Sequence, residues 1–342
     1  MGRIRIVLYG VGAVGGLIAK YLLTKDGAEI VGAIDVAEEK VGEDLGRVLN
    51  IGKSVGVIIS NDVDDVLSKT RPNIVVHATA SYLVDVFPQL AQILKHKVNV
   101  VSTCEELSYP YFSKPQLAEK LDILDKMHKS TIIGTGINPG FLMDTLVITL
   151  TAVCQKIRKI KAVRIMNAAT RRTPFQKKIG AGLSLEKFQK AIENGFITGH
   201  VGLEQSVSMI AAALAWKLES VRTSPVQPLI ADKPVRSEAI DVKQGHVAGL
   251  KQEAKGYRNG KEAIALEFQA YIGASEEYDS ITIKGVPNVN QKIMPCVHGD
   301  ISTVAVVVNT IPKIINAPPG LVTMKDLPVP SATTVNMVNF LL

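Results

Sequence analysis

Short apolar runs alternate with helical stripes along the first part of the chain. Ile4 to Tyr9, Glu29 to Asp35, Asn73 to Ala78, Asn99 to Ser102 and Thr131 to Gly134 are rich in Val and Ile, the composition of strands buried on both faces. Between them, Gly15 to Leu23, Val63 to Leu67 and Leu83 to Lys95 repeat apolar residues at helical spacing. Strand and helix in that rhythm predict right-handed βαβ units and a doubly wound parallel sheet.

Beyond Gly140 the rhythm changes. Asp144 to Cys154 reads as an apolar helix, Lys161 to Ala168 as a strand and Leu203 to Leu218 as a helix, and strands dominate from Val235 onward. Gly256-Tyr257-Arg258-Asn259-Gly260-Lys261 sets Asn-Gly between two strand candidates, the strongest short hairpin signal. Ala263 to Ile272 and Ser280 to Lys284 extend it into an antiparallel meander. Asp300 is placed to cap a last helix through Ile315, which Ala317-Pro318-Pro319-Gly320 ends. The expected fold class is α/β. A doubly wound parallel sheet occupies residues 1–140, and an α+β domain with an open, mainly antiparallel sheet occupies 141–300. A C-terminal helix and tail, 301–342, pack back on the first domain.

Composition narrows the function. With 46% hydrophobic and 21% charged residues in 342, the chain has the material for a core and is too weakly charged for a disordered one. The net charge of +7 raises nucleic acid as a partner, but the basic residues are scattered. Their densest groups, Lys156 to Lys161 and Arg171 to Lys178, lack interleaved aromatics, so no nucleic-acid partner is expected. A modest positive field suits an anionic dinucleotide or a carboxylate substrate equally well. Cys104, Cys154 and Cys296 have neither disulfide nor metal-ligand spacing, which points to no metal and to a reducing, cytoplasmic setting. A spanning helix needs about 20 apolar residues in a row. The longest runs are broken by glycine or proline, and the apolar start lacks a leader's cleavage site, so no membrane association is expected.

Gly10-Val11-Gly12-Ala13-Val14-Gly15 follows a predicted strand and opens a predicted helix, the context in which GxGxxG marks a Rossmann dinucleotide site. Gly10 makes the turn, Gly12 admits the pyrophosphate to the backbone, and Gly15 lets helix and sheet pack closely. Asp35 ends the next strand, 20 residues on, where a carboxylate accepts from the ribose hydroxyls. That favours NAD over NADP, although Lys40 is near enough in sequence to reach a 2′-phosphate. Ala78 and Thr79, after another strand, and Ser102 and Thr103, after the next, are expected to line the nicotinamide ribose.

The strand through Ser102 runs into two adjacent acids, Glu105 and Glu106. Neighbours in sequence rarely face the same way. Glu105 is the candidate to stand beside the reacting carbon and move a proton; the plain alternative is two solvated loop glutamates. Asn138, in the hinge-like Gly134-Thr135-Gly136-Ile137-Asn138-Pro139-Gly140, is a candidate for both cofactor carboxamide and substrate. Asn167, Arg171 and Arg172 follow a second-domain strand, and a guanidinium fork suits a carboxylate; Arg164 inside that strand is the competing anchor. His298 and Thr303 are candidate pocket residues. Serine-nucleophile, metal-cluster and Walker-loop motifs are lacking, which leaves hydride transfer.

Taken together these motifs resemble the 2,4-diaminopentanoate dehydrogenases and native amine dehydrogenases, within the dihydrodipicolinate-reductase-like and homoserine-dehydrogenase-like proteins. The resemblance runs through Gly10–Gly15, Ser102-Thr103-Cys104-Glu105-Glu106, Gly136-Ile137-Asn138-Pro139-Gly140-Phe141, Thr170-Arg171-Arg172, and His298-Gly299-Asp300 to Asn309-Thr310-Ile311-Pro312 and Pro319-Gly320-Leu321. It implies NAD(P)-dependent oxidative deamination of a small amine to a ketone and ammonia, reversible as reductive amination, with the family glutamate at Glu105 and a homodimer as the assembly. The analogous strand-end loop of homoserine dehydrogenases carries a lysine, so an acid here suits amine chemistry. The competing readings are an imine reductase or alcohol dehydrogenase of the same architecture, and a non-enzymatic NAD sensor.

Overall fold

In the computed structural model, which describes residues 2–341, the buried apolar runs become strands and the striped segments helices. The chain opens with β1 (Ile4–Tyr9), α1 (Ala13–Leu22), β2 (Ala28–Ile34), α2 (Leu45–Val48), β3 (Ile59–Ser60), α3 (Val63–Thr70) and β4 (Ile74–His77). It continues through α4 (Leu83–Lys95), β5 (Asn99–Ser102), α5 (Pro110–Ser113), α6 (Pro115–His128) and β6 (Thr131–Gly134). Leu83, Val86, Leu90, Ile93 and Leu94 form the apolar stripe of α4 and are buried with Val7, Val75, Val100 and Ile132 of the sheet.

The next stretch runs α7 (Thr145–Thr151), β7 (Lys156–Asn167), α8 (Thr173–Lys178), α9 (Leu185–Glu193), α10 (Leu203–Ala213), β8 (Ser220–Thr223), β9 (Gln227–Ile230), β10 (Val235–Arg236) and β11 (Asp241–Val242). It ends with β12 (Val247–Arg258), β13 (Lys261–Tyr271), β14 (Tyr278–Val286) and β15 (Val289–Ile293). The chain then returns to the first sheet with α11 (Gly299–Ile315) and β16 (Gly320–Leu321). Two compact units result, Met1–Phe141 with His298–Leu342, and Leu142–Val297.

In the first unit the strand order is β16-β6-β5-β4-β1-β2-β3, every pair parallel. The doubly wound sheet is therefore as expected, with β3 and β16 as added edge strands too short to show a pattern. Helix α1 packs on α11, while α4 packs on α6. The sequence pattern did not reveal α6, because Ala118, Leu121 and Asp125 alone are fully buried while Ile123 and Met127 face outward.

In the second unit the sheet runs β15-β14-β7-β13-β12-β8, with β9 also on β12. Asn259 and Gly260, both at positive φ, form the expected β12–β13 hairpin. The meander needs correction: β7 inserts between β13 and β14, parallel to the first and antiparallel to the second. Such long-range pairing leaves no local turn signal. The last helix also differs from expectation. His298, not Asp300, is its N-cap, with Nδ1 accepting from the Ile301 N–H at 3.4 Å, and Asp300 lies in the first turn. Among the described residues no helix is long and apolar enough to cross a membrane.

One buried acid in α6 carries a consequence for stability. Asp125 has no exposed surface; Ser130 donates to Oδ1, and Oδ2 has no partner among the described residues. Burial pushes its pKa up to about 8 against the Ser130 hydrogen bond, with Asp122 adding to the rise. A folded pKa above the unfolded value means that stability is full in acid and is lost as pH climbs toward about 8. Thermal melting should therefore fall between pH 5 and pH 8, and Asp125→Asn should flatten that slope; an identical slope in the variant would contradict the assignment.

Candidate active site

The carboxyl edge of the first unit's sheet collects the candidate cofactor residues. Because β1 lies between β2 and β4, and the helices that follow β1 and β4 pack in different layers, this edge has the switch point at which open α/β sheets hold ligands. Gly10 leaves β1 at φ +93°, where a Cβ would sit 2.4 Å from the Ala78 carbonyl oxygen. A Cβ on Gly15 would lie 1.9 Å from the Gly10 oxygen, so helix and turn touch through the missing side chain. Gly12 is exposed, with open space where a Cβ would point. It is the N-cap of α1 and brings no side-chain cap, so the amides of the first turn, at Ala13 and Val14, suit an outside anion. The residues present fit a dinucleotide pyrophosphate.

Asp35, 8% exposed, stands beside this turn. Its Oδ2 accepts from the Val11 N–H at 2.8 Å and from Lys40 Nζ at 3.0 Å, and its Oδ1 from the Ala37 N–H at 3.0 Å. Burial alone would raise its pKa, but the hydrogen bonds from Ala37, Val11 and Lys40 outweigh it and hold the carboxyl below its usual range.

The two acids after β5 separate clearly. Glu106 is 7% exposed, and its Oε2 accepts from the Leu83 N–H at 2.7 Å, supplying the cap that Tyr82 does not give to α4. Glu105 is half-buried at the head of the short turn Glu106–Ser108, where its carbonyl accepts from the Ser108 backbone and hydroxyl. Burial pushes the Cys104 thiol up to about 12 and lowers His77, against a hydrogen bond to Gln89, to about 4.

His77 organises the ends of β4 and β5. Its Nδ1 meets Ser102 Oγ at 2.9 Å and its Nε2 meets Gln89 Oε1 at 2.8 Å and Thr79 Oγ1 at 3.0 Å. Ser102 Oγ also accepts from the Cys104 N–H, so this fully buried hydroxyl is engaged within the protein. Thr79 is exposed, and Ala78 and Thr103 are half-buried at the edge. Asn138, half-buried, follows β6, and Thr303 Oγ1 accepts from the Ile137 N–H at 3.4 Å, tying that loop to α11 just past His298.

Arg164, Asn167, Arg171 and Arg172 belong to the second unit. Arg164 occupies an inward position of β7, 1% exposed, with Nη1 on Asp279 Oδ1 at 2.6 Å and Nη2 on the Val297 carbonyl. Asn167 Oδ1 accepts from the Ala169 and Gly273 N–H groups. Arg171 and Arg172 are half-buried, and the Arg171 guanidinium lies 4.5 Å from the centre of the Phe175 ring. Sequence reasoning passed over two residues. Gln89 completes the His77 network, and His200, stacked on Phe268, is driven by burial to about 3. A lone polar residue without periodicity gives no signal for either.

A Gly-rich turn on an uncapped helix at the switch point, with an acid after the second strand, defines a Rossmann dehydrogenase fold. Residues 4–105 match the family described as dihydrodipicolinate reductase, N-terminus, and residues 141–341 the family described as 2,4-diaminopentanoate dehydrogenase C-terminal domain. The chain is 36% identical over 341 residues to the 2,4-diaminopentanoate dehydrogenase of Acetoanaerobium sticklandii, covering 97% of this chain and 95% of that protein. An amine dehydrogenase of Streptomyces virginiae is 23% identical over 352 residues, 95% of this chain and 96% of that one. Among solved structures, the amine dehydrogenase from Mycobacterium smegmatis matches with a TM-score of 0.84 at 31% identity, covering 97% and 98% of the two chains. The chain belongs to the 2,4-diaminopentanoate dehydrogenase family.

The glycines can be tested separately. Gly15→Ala, which drives a methyl into the Gly10 carbonyl, should lower the melting temperature and weaken dinucleotide binding at least tenfold in a fluorescence titration. Gly12→Ala, whose methyl meets open space, should leave melting unchanged. Equal melting of both variants and the parent would contradict this packing.

Proposed function

We propose that this chain is a nicotinamide-dependent amine dehydrogenase, converting a small amine, 2,4-diaminopentanoate or a close relative, to a ketone and ammonia, and running in reverse as reductive amination. The observation that carries the reading is the separation of the two acids after β5: Glu106 caps α4 through the Leu83 N–H, and Glu105 stands half-buried just beyond the strand's carboxyl end. Gly10 to Gly15 would hold the pyrophosphate and Asp35 a ribose hydroxyl, which favours NAD, with Ala78, Thr79 and Thr103 around the nicotinamide end and Ser102 fixed behind them by His77. The bound nicotinamide supplies the two-electron acceptor for a hydride from the amine-bearing carbon.

Glu105 takes a proton from the substrate ammonium, which frees the nitrogen lone pair that expels the hydride. Once Glu105 has released that proton to solvent, its negative charge favours the iminium, because a carboxylate in a poorly solvated place stabilises developing positive charge. As water adds to the iminium carbon, Glu105 accepts the water proton and returns it to the departing nitrogen. Asn138 orients the carboxamide or the substrate, and Thr303 holds its loop. Within the second unit Arg164 is committed to Asp279, and Arg171 and Arg172 are the more exposed candidates for a substrate carboxylate. The three free thiols fit a reducing, cytoplasmic setting, and a homodimer is the assembly we expect.

The test is an absorbance assay of NADH and NADPH oxidation with 2-amino-4-oxopentanoate and small ketones, with and without ammonium. Oxidation should require ammonium. Equal rates without it would show an imine or carbonyl reductase instead, and no turnover of any substrate would leave the nucleotide-sensor reading.

A further inference from the structure

Asp35 carries more than a ribose contact needs. A carboxylate offers about four acceptor positions. The Val11 and Ala37 N–H groups and the Lys40 ammonium occupy three, leaving one for a sugar hydroxyl. The Lys40 side chain is 22% exposed, and one of its three N–H donors is spent on Asp35. The rest of this segment is acidic: Glu38 and Glu39 are exposed, and Glu43 is paired with Arg47 at 2.7 Å.

NAD and NADP differ by a phosphate on the ribose hydroxyl next to which Asp35 would sit. A bare Asp35, with Glu38 and Glu39 nearby in the chain, repels that dianion. Joined to Lys40, the carboxylate becomes an electrically neutral pair, and the ammonium has donors left to turn to a phosphate. We propose that Lys40 sets the cofactor discrimination of this enzyme, masking the charge of Asp35 so that the 2′-phosphorylated dinucleotide is taken alongside NAD. The proposal rests on the reading of Gly10 to Gly15 and Asp35 as the dinucleotide site. Lys40 touches no reacting atom in this account; it is a specificity residue acting on the adenosine end.

Isothermal titration of the full chain with NAD+ and with NADP+, in the absence of substrate, reads the effect directly as the ratio of the two dissociation constants. Lys40→Ala should raise the ratio of NADP+ to NAD+ dissociation constants at least tenfold over the parent. Lys40→Arg, which keeps the charge, should hold the ratio within about threefold, and Asp35→Asn should lower it about tenfold, given the charge it removes. A ratio unchanged in Lys40→Ala, with both dinucleotides still bound, would overturn the role of Lys40 alone. A parent chain that binds neither dinucleotide would overturn the site reading and this proposal with it.

Discussion

The hydrogen bond from the Leu83 N–H to the Glu106 carboxylate decides what the adjacent acids can do. Helix α4 starts without a side-chain cap from Tyr82, and its exposed amides and positive dipole end favour an anion. Glu106, 23 residues away in the chain, provides it, a contact of a kind worth about 1 kcal/mol. Consecutive residues of a turn diverge, so fixing one acid inward leaves Glu105 half-buried at the sheet edge. Nearby, burial lowers His77 to about 4 and raises the Cys104 thiol to about 12, so neither carries charge at pH 7.

The same logic of local shortage and distant supply governs the nucleotide end. Gly12 leaves the first turn of α1 without a side-chain acceptor, and Gly10 and Gly15 close the turn on Ala78 so tightly that no methyl fits. Asp35 then braces the turn through the Val11 amide, so the residue read as the ribose partner is also part of the turn's framework. A cradle rigid before its ligand arrives spends less of the binding free energy on ordering.

What was legible in the sequence was what is local. The strands of the first sheet, the Gly10–Gly15 turn and the Asn259-Gly260 hairpin each announce themselves within a few residues, and the structure has them where the pattern places them. Contacts between distant segments gave no such signal. The Glu106 cap, the insertion of β7 between β13 and β14, and the Arg164–Asp279 pair 115 residues apart all depend on how the chain returns on itself. Arg164 breaks an otherwise apolar inward alternation in β7, and only its opposite neighbour in the register, Asp279, explains why it is tolerated there. At the last helix, Asp300 is the better capping residue by type, yet His298 holds the position because the helix begins two residues earlier than an Asp300 cap would set it.

The central claim is a division of labour between two neighbouring glutamates, and paired substitutions separate it most directly. Turnover and thermal melting measured together on Glu105→Gln and Glu106→Ala should dissociate. The first should lose at least about a thousandfold in kcat, within the range for a positioned acid–base group, while melting like the parent. The second should melt about 1–3 °C lower, as expected for a lost cap in a chain of this size, while retaining most of its turnover. Near-normal turnover in Glu105→Gln, with the loss falling on Glu106→Ala instead, would contradict the account.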